Sequence, residues 1–144
     1  MNRPVDGLPI EAQPESLIVR MCLWAEARGE PPLGMLGVWW VLRNRAVTRV
    51  TSMKEEVLRR KQFSSFNPDD PNRPKLLTAF RDDPQGWFAA DATAAIAELG
   101  HTVDPTNGST SYYNPAVCQP AWGRGHPGWQ EHITIGHHVF GVAA

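Results

Sequence analysis

The amino-acid sequence predicts a mainly α-helical domain of the α+β class, with a small C-terminal β-hairpin. As far as residue 100, apolar residues recur with the spacing of helices, and several periodic segments stop at glycine or proline. Beyond it, glycine, proline, serine, threonine and aromatic residues dominate, and two short β-type segments flank Gly136 and His137. A length of 144 residues and a hydrophobic fraction of 42% are ordinary for one globular domain.

The first part of the chain predicts an arm followed by two helices. Residues 1–13 contain two prolines and show no periodicity, so we interpret them as an N-terminal arm. The first helix begins at about Pro14, a residue that suits a first helical turn, and ends at Gly29. The second helix begins at Pro32. Its residues 35–42 are apolar on almost every side, which is typical of a buried helix.

The second helix also carries Gly34 and Gly37. Because glycine costs a helix up to about 1 kcal/mol relative to alanine, the pair predicts that another element packs closely against this helix. A capping-box pattern then opens a short helix over residues 52–60, and a proline- and aspartate-rich loop follows at 61–74. Two further helices are predicted, over residues 75–80 and 83–99.

Charge and hydropathy limit the classes of protein. The formal net charge of -1 does not suggest a nucleic-acid binder. No stretch reaches the roughly 18 apolar residues of a membrane span, and the first 15 residues lack the apolar run of a signal peptide. We therefore expect a protein that is made in the cytoplasm without a signal peptide and does not insert into membranes.

One segment of the chain is locally basic. It contains Arg43, Arg45, Arg49, Lys54, Arg59, Arg60 and Lys61. The segment could face an anionic polymer, but a solvated helix face is the simpler interpretation. Of the two cysteines, Cys22 is expected to be a small core residue. A bridge between Cys22 and Cys118 stays open, because the sequence does not fix their distance.

Glu26 is the first candidate for a catalytic residue. Ile18, Cys22 and Glu26 are spaced by four residues, so they share one stripe of the first helix. Burial of a carboxylate is costly, and desolvation raises its pKa. A carboxyl group with a raised pKa is what a general acid at neutral pH requires.

Two further interpretations concern the surroundings of Glu26. It could instead be a glutamate at the edge of the core that Arg43, Arg45 or a backbone amide satisfies. Glu30 lies one further turn along the same stripe. If both carboxylates face one cleft, their repulsion is expected to raise the pKa of Glu26 further.

Six short motifs follow one another along the chain. They are AEARGEP (25–31) with VLRNR (41–45), QFS (62–64), DDPNR (69–73), DPTNG (104–108), YYNP (112–115) and IGHHVF (135–140). In sequence and order they resemble the cell wall hydrolase family of the spore cortex-lytic enzyme type. One such motif is a weak signal, but six in the family's order are hard to explain by chance.

The resemblance implies a lysozyme-like domain related to lytic transglycosylases, with residues 14–144 as a single catalytic domain. The family cleaves peptidoglycan glycan strands between N-acetylmuramic acid and N-acetylglucosamine, and its essential glutamate corresponds to Glu26. The loop at 62–67, with the DPNR motif, looks more like phage and prophage members. That implies an endolysin, which reaches the wall through a holin-type hole or as part of a phage particle. We expect a monomer.

The motifs also supply candidates for binding or supporting roles beside Glu30. Tyr112, Tyr113 and Asn114 could orient Glu26 or bind an N-acetyl group, and the alternative is a turn with packed aromatics. Gln62 and Ser64 could bind sugar hydroxyl groups above Phe63, and the alternative is an ordered loop cap. Three tryptophans could stack on sugar rings, although a tryptophan is more often part of a core; they are Trp87, Trp122 and Trp129.

The resemblance favours the lytic route, which needs only one acid/base. A hydrolytic muramidase needs a second carboxylate about 5–9.5 Å away. The sequence offers four acids for that role, but spacing certifies none of them; they are Glu30, Asp69, Asp70 and Asp104.

Two other classes of protein are considered. A zinc amidase or peptidase is disfavoured, because no HExxH or cysteine-pair spacing accompanies the five histidines. In a hairpin, His137 and His138 point to opposite faces and do not easily share a metal. We therefore predict no metal or other cofactor. A non-catalytic peptidoglycan-binding protein is the remaining alternative, against which the presence of Glu26 argues.

Overall fold

The computed structural model describes residues 1–59 and 62–143. Within that part of the chain, five α-helices precede three β-strands, with 3₁₀ segments at Ile10–Ala12 and Ser64–Phe66. The helices are α1 (Glu15–Ala27), α2 (Pro32–Arg49), α3 (Met53–Leu58), α4 (Lys75–Asp82) and α5 (Pro84–Glu98). The strands are β1 (Ser111–Tyr113), β2 (Gln130–Ile135) and β3 (His138–Val142). The predicted mainly helical architecture is confirmed.

Helix α1 lies at the centre of the helical body. It packs against α2, α3, α4 and α5, and Ile18, Met21, Cys22 and Leu23 are completely buried. Burial of a large apolar side chain stabilises a fold by about 1.5–3 kcal/mol. Because α1 is enclosed by four neighbours, packing on several sides fixes its position in the helical body.

The close approach predicted for α2 is made by the sheet. A Cβ atom at Gly37 would lie 2.8 Å from Cζ of Phe140 on β3, a distance that real Cβ contacts do not show. A Cβ atom at Gly34 would lie 3.6 Å from Ile135 on β2, which is ordinary contact. Glycine at position 37 therefore lets the sheet pack directly on α2.

The three strands form one antiparallel sheet in the order β1–β3–β2. The predicted hairpin is confirmed, with its turn at Gly136 (φ +58°). The sequence patterns predict no strand over residues 111–113, but these residues form β1, which pairs with β3 at Tyr112 and Phe140. A strand of three residues is too short to show an alternating pattern, so only its pairing with β3 defines it.

The helix ends agree with their local sequence signals. In the predicted capping box, Ser52 Oγ accepts a hydrogen bond from the Glu55 backbone N–H at 3.0 Å, and the Glu55 side chain accepts one from the Ser52 N–H. Helix α1 ends at Ala27, two residues before the predicted Gly29, and Arg28 already has extended backbone angles. This early end changes where the chain places Glu30.

The N-terminal segment packs on the helices. The Trp87 indole donates a hydrogen bond of 2.7 Å to the backbone oxygen of Asn2. The completely buried Gln13 side chain accepts a hydrogen bond from the Val5 backbone N–H and donates to the backbone oxygens of Val5 and Leu8. The division into an arm and one catalytic domain stays a prediction. Cys22 is buried and Cys118 exposed, and both are free thiols, so the bridge left open above does not form. Over the described ranges, no helix has the length and apolar character needed to cross a membrane.

Candidate active site

Glu26 lies at the end of the buried stripe of α1. Ile18 and Cys22 are completely buried on this stripe. Glu26 follows one turn later, partly buried, just before α1 ends at Ala27. The carboxyl group of Glu26 therefore lies at the edge of the core, where the buried stripe reaches the surface.

One hydrogen bond fixes this carboxyl group. The Tyr112 hydroxyl donates to Oε1 of Glu26 at 2.5 Å. Among the residues that the structure describes, no hydrogen bond to Oε2 is found, so Oε2 is the oxygen free to face a substrate. The charge of Arg45 acts on the same group, as the shift of its pKa shows.

The pKa of Glu26 lies above that of an ordinary glutamate. Desolvation is the largest influence and raises the pKa, whereas the hydrogen bond from Tyr112 and the charge of Arg45 lower it. Desolvation and the nearby Glu26 carboxylate also raise the pKa of Tyr112 well above its usual value, so the phenol stays a donor. A partly buried carboxyl group whose pKa is raised, beside a phenol that stays a donor, is suited to general acid chemistry.

Tyr112 is itself held by the sheet. Its ring centroid lies 4.8 Å from that of His138 and 5.7 Å from that of Phe140, both on β3. Successive side chains of a strand point to opposite faces, so Tyr112 faces α1 while Tyr113 faces away from it. The pairing of β1 with β3 therefore selects which tyrosine meets Glu26.

Arg45 is a site residue that the sequence suggested only as a possible partner of Glu26. Its Nε donates to the Thr110 backbone oxygen at 2.6 Å, and its Nη1 donates to Gln62 Oε1 at 3.3 Å. A signal for it was present in α2, because Val38, Leu42 and Arg45 follow one stripe, and both apolar members are completely buried. Arg45 thus ends a buried stripe of α2 as Glu26 ends one of α1.

Glu30 does not share the stripe of Glu26, which corrects the prediction. Because α1 ends at Ala27 and Gly29 has a φ of +86°, the chain turns before Glu30. The Glu30 carboxylate accepts hydrogen bonds from the backbone N–H of His137 at 2.8 Å and from its Nδ1 at 2.6 Å. Glu30 therefore fastens the β2–β3 turn to the start of α2.

These contacts give Glu30 the opposite electrostatic character. Desolvation acts to raise its pKa, but the hydrogen bonds from His137 and the nearby His138 bring the pKa below the ordinary value. The groups that shift the pKa of Glu26 do not include Glu30, so the expected repulsion between them was wrong.

Tyr113 and Asn114 serve the loop after β1. The Tyr113 hydroxyl accepts a hydrogen bond of 3.1 Å from the Arg124 backbone N–H, and its ring lies 5.6 Å from those of Trp122 and Trp129. Asn114 Oδ1 accepts a hydrogen bond of 2.9 Å from the backbone two residues further on. The alternative of a turn with packed aromatics describes both residues, whereas Tyr112 alone reaches Glu26.

The three residues predicted at 62–64 have different surroundings. Gln62 is exposed and meets the site through Arg45. Phe63 is buried in the core, with the Arg45 guanidinium 5.5 Å from its ring centre. Ser64 is exposed and begins the second 3₁₀ segment. Contact of Gln62 and Ser64 with a substrate stays a prediction.

The tryptophans considered for sugar stacking divide into two groups. Trp87 is completely buried and belongs to the core. Trp122 and Trp129 lie 5.6 Å apart by their ring centroids. Trp122 is 37% exposed, so it keeps a surface that a sugar or peptide can contact.

His137 and His138 do not point to opposite faces, as successive residues of a regular strand would. His137 lies in the turn and not in a strand, so both it and His138 approach Glu30, with His138 Nδ1 3.9 Å from Glu30 Oε1. The expectation that the two rings point to opposite faces was therefore wrong. In residues 1–59 and 62–143, no three His, Cys, Asp or Glu side chains are grouped as metal ligands.

The basic segment largely makes internal contacts. Arg49 and Arg59 lie 3.5 and 3.1 Å from the completely buried Glu56 carboxylate. Lys54 donates to a backbone oxygen at 2.8 Å. Residues 60 and 61 lie outside the described part of the chain. The interpretation as a freely solvated helix face is therefore too simple.

Comparison with known proteins decides the family. The sequence model of the family described as Cell Wall Hydrolase matches residues 29–141, which is more than half of the chain. The chain belongs to the cell wall hydrolase family. The match begins three residues after Glu26, so the role of Glu26 rests on the geometry above. Family membership makes the chain an enzyme and answers the alternative of a non-catalytic binding protein.

Two solved structures share the fold. The catalytic domain of the germination-specific lytic transglycosylase SleB from Bacillus anthracis has a TM-score of 0.69 and 19% identity, over 95% of this chain and 98% of that chain. The catalytic domain of the Bacillus cereus SleB protein has a TM-score of 0.67 and 19% identity, over 98% and 97%. No curated protein matches the chain. The expected lysozyme-like fold is confirmed.

Proposed function

We propose that this cell wall hydrolase cleaves peptidoglycan between N-acetylmuramic acid and N-acetylglucosamine, as a lytic transglycosylase with Glu26 as its acid/base. The observation that carries the proposal is a single carboxyl group of raised pKa, fixed by Tyr112 through one oxygen. One such group suffices for the lytic route, because no water has to be activated. The name of the Bacillus anthracis relative, a lytic transglycosylase, adds support.

Glu26 carries out two proton transfers in this reaction. As the acid, it gives its proton to the glycosidic oxygen, and the bond from that oxygen to C1 of the muramic residue breaks. As the carboxylate, it takes the proton of the C6 hydroxyl of the same residue while O6 bonds to C1. The product carries a 1,6-anhydro ring, and Glu26 ends protonated, as it began.

Tyr112 and Arg45 suit the carboxylate stage of this cycle. Both stabilise the charged form of Glu26, because they lower its pKa against the effect of desolvation. A hydrogen bond to an ionised acceptor is stronger than one to a neutral acceptor, so the Tyr112 bond strengthens as the proton leaves. The site thus holds an acid that can also become a base.

Three of the four candidates for a second carboxylate already have other partners. Glu30 is held by His137. Asp104 accepts hydrogen bonds from neighbouring amide and hydroxyl groups, which lower its pKa against desolvation. Asp69 and Asp70 belong to the loop after Phe66, where Asp70 accepts a backbone N–H two residues further on. These contacts favour the one-carboxylate route.

Product masses test the proposal. Digestion of purified peptidoglycan is expected to give muropeptides that end in anhydromuramic acid and are lighter by one water than reducing-end products. Glu26→Gln is expected to give none of them, whereas Tyr113→Phe, on the other face of β1, is expected to give the full set. Products that end in reducing muramic acid would contradict transglycosylation and support the hydrolytic muramidase.

We also propose that the enzyme is a phage endolysin that acts after release through a holin-type hole. The support is the similarity of residues 62–67 and 70–73 to phage and prophage members of the family. Expression in a Gram-negative host, with and without a co-expressed holin, tests this role. Culture turbidity is expected to fall only with the holin, and equal lysis in both cultures would contradict the proposal.

A further inference from the structure

A groove beside Arg45 contains groups that the acid/base chemistry does not use. Its volume is about 670 Å³, and its walls include Arg45, Arg49, Gln62, Thr110, Ser111 and Trp122. Two of these side chains are guanidinium groups and one is a partly exposed indole. No carboxyl group of the described residues lines it.

Arg45 connects the groove with the catalytic centre. Arg45 lines the groove, and its charge lowers the pKa of Glu26. Ser111 also lines it, on the face of β1 opposite to that of Tyr112, which donates to Glu26. A substrate cleaved at Glu26 therefore lies beside a residue that also lines this groove.

The groove carries positive charge that its own walls do not neutralise. Arg45 and Arg49 are one turn apart on α2, and the charge of Arg49 lowers the pKa of Arg45. The carboxylate that pairs with Arg49 is Glu56, which is completely buried and does not line the groove. The Arg49 side chain is 43% exposed, so its guanidinium can also bind a ligand from the groove.

We propose that this groove binds the stem peptide of the substrate through the peptide's carboxylates. The inference rests on the proposed cleavage of peptidoglycan at Glu26. The muramic residue carries its peptide through an amide bond, so the glycan itself is neutral and the negative charge lies in the peptide. Guanidinium groups bind carboxylates through paired hydrogen bonds, and Trp122 offers an apolar wall beside them.

Binding to an inactive enzyme tests the inference without turnover. The probe is a tetrasaccharide of peptidoglycan that carries its peptides, titrated into Glu26→Gln by calorimetry. A second probe is the same compound with its carboxylates converted to methyl amides, which removes the charge and keeps the skeleton. The Glu26→Gln protein, whose groove is unchanged, is expected to bind the charged probe more tightly than the neutral one.

Arg59 provides a matched control for Arg49. Both arginines pair with Glu56, at 3.5 Å for Arg49 and 3.1 Å for Arg59, and their side chains are 43% and 40% exposed. Only Arg49 lines the groove. In the Glu26→Gln background, Arg49→Gln is expected to lower the affinity for the charged probe about three- to tenfold. The affinity for the neutral probe is expected to stay unchanged. Arg59→Gln is expected to leave both affinities unchanged.

The inference is overturned if Arg49→Gln lowers the affinity for neither probe or lowers both affinities equally. It is also overturned if Arg49→Gln and Arg59→Gln change the affinities in the same way. Thermal unfolding of each variant shows that the compared proteins are folded. A failure of the proposed function is detected by a different measurement, since the wild-type enzyme would then give no anhydro product. The binding result does not depend on that product.

Discussion

Glu26 and Glu30 stand four residues apart in the sequence, and the fold gives their carboxyl groups opposite surroundings. Glu26 ends a buried helical stripe and has one phenol donor, and its pKa is raised. Glu30 lies beyond the helix end, between the backbone N–H and the imidazole of His137, and its pKa is lowered. Two identical side chains thus differ in the direction of their pKa shifts, and only Glu26 has the character of the acid that we propose.

The difference shows what decides the role of a carboxyl group. Desolvation is the largest influence on both residues, so burial alone does not separate them. The number of donors does, because among the described residues Glu30 receives two hydrogen bonds from His137 and Glu26 receives one from Tyr112. A general acid needs burial with few donors, whereas an anchoring carboxylate needs donors that compensate its burial.

The largest expected effect separates the two residues by activity. Glu26→Gln removes the acid/base and is expected to lower kcat by about 10²- to 10⁴-fold. Glu30→Gln keeps the acid and is expected to retain activity to within about tenfold. The measurement is the rate of release of soluble muropeptides from purified peptidoglycan. A Glu30→Gln enzyme as inactive as Glu26→Gln would make Glu30 a second catalytic carboxylate.

Tyr112→Phe tests how the Tyr112 hydrogen bond affects the pKa of Glu26. The Tyr112 hydrogen bond lowers the pKa of Glu26, so its loss is expected to raise that pKa further. Glu26 then keeps its proton to a higher pH, and the alkaline limb of the pH–rate profile moves upward. The rate itself is expected to fall about 10- to 100-fold, since a hydrogen bond to a charged group is lost.

Tyr113→Phe is the matched control for this change. Tyr113 points to the other face of β1 and bonds to the loop, so its substitution is expected to leave the alkaline limb in place. A shift in the same direction for both variants would show that the effect does not come from the bond to Glu26.

Glu30→Gln is expected to lower the free energy of unfolding by about 1–2 kcal/mol at neutral pH, since hydrogen bonds to an ionised carboxylate are replaced by neutral ones. The effect stays this small because His137 is largely exposed and solvent screens the pair. Because the pKa of Glu30 is lowered by folding, this contribution is present above the unfolded pKa and is lost as pH falls through the folded pKa. Urea unfolding at neutral and acid pH measures it. Equal stability of both proteins at neutral pH would contradict the anchoring role.

The smallest expected effect is a gain in stability from Glu26→Gln, of about 1 kcal/mol at neutral pH. Folding raises the pKa of Glu26, so its charged form destabilises the folded state above the folded pKa. The gain is expected to disappear at acid pH, where Glu26 is protonated in both states. A loss of stability at neutral pH would show that the Glu26 carboxylate is compensated as fully as that of Glu30.

Local periodicity predicted much of the fold and indicated the carboxyl group that we propose as the acid. The spacing of Ile18, Cys22 and Glu26 placed the glutamate on a buried stripe, and the serine–glutamate pair at 52–55 formed its capping box. These features depend on neighbours within one or two helical turns, which the sequence displays directly.

The rest depends on contacts between distant segments. Glu30 meets His137, which is 107 residues away, and β1 exists only through its pairing with β3. The choice between Tyr112 and Tyr113 follows from that pairing, because it fixes which side chain faces α1. No local pattern contains this information, so the sequence could offer both tyrosines but not select one.

The most direct test of the central comparison is an NMR titration of the two side-chain carboxyl groups in the wild-type enzyme. Glu26 is expected to titrate above the ordinary glutamate range and Glu30 below it. Spectra of Glu26→Gln and Glu30→Gln identify the two resonances. The alkaline limb of the pH–rate profile is expected to coincide with the Glu26 titration. A Glu30 carboxyl group that titrates at a higher pH than Glu26 would contradict the assignment of acid and anchor.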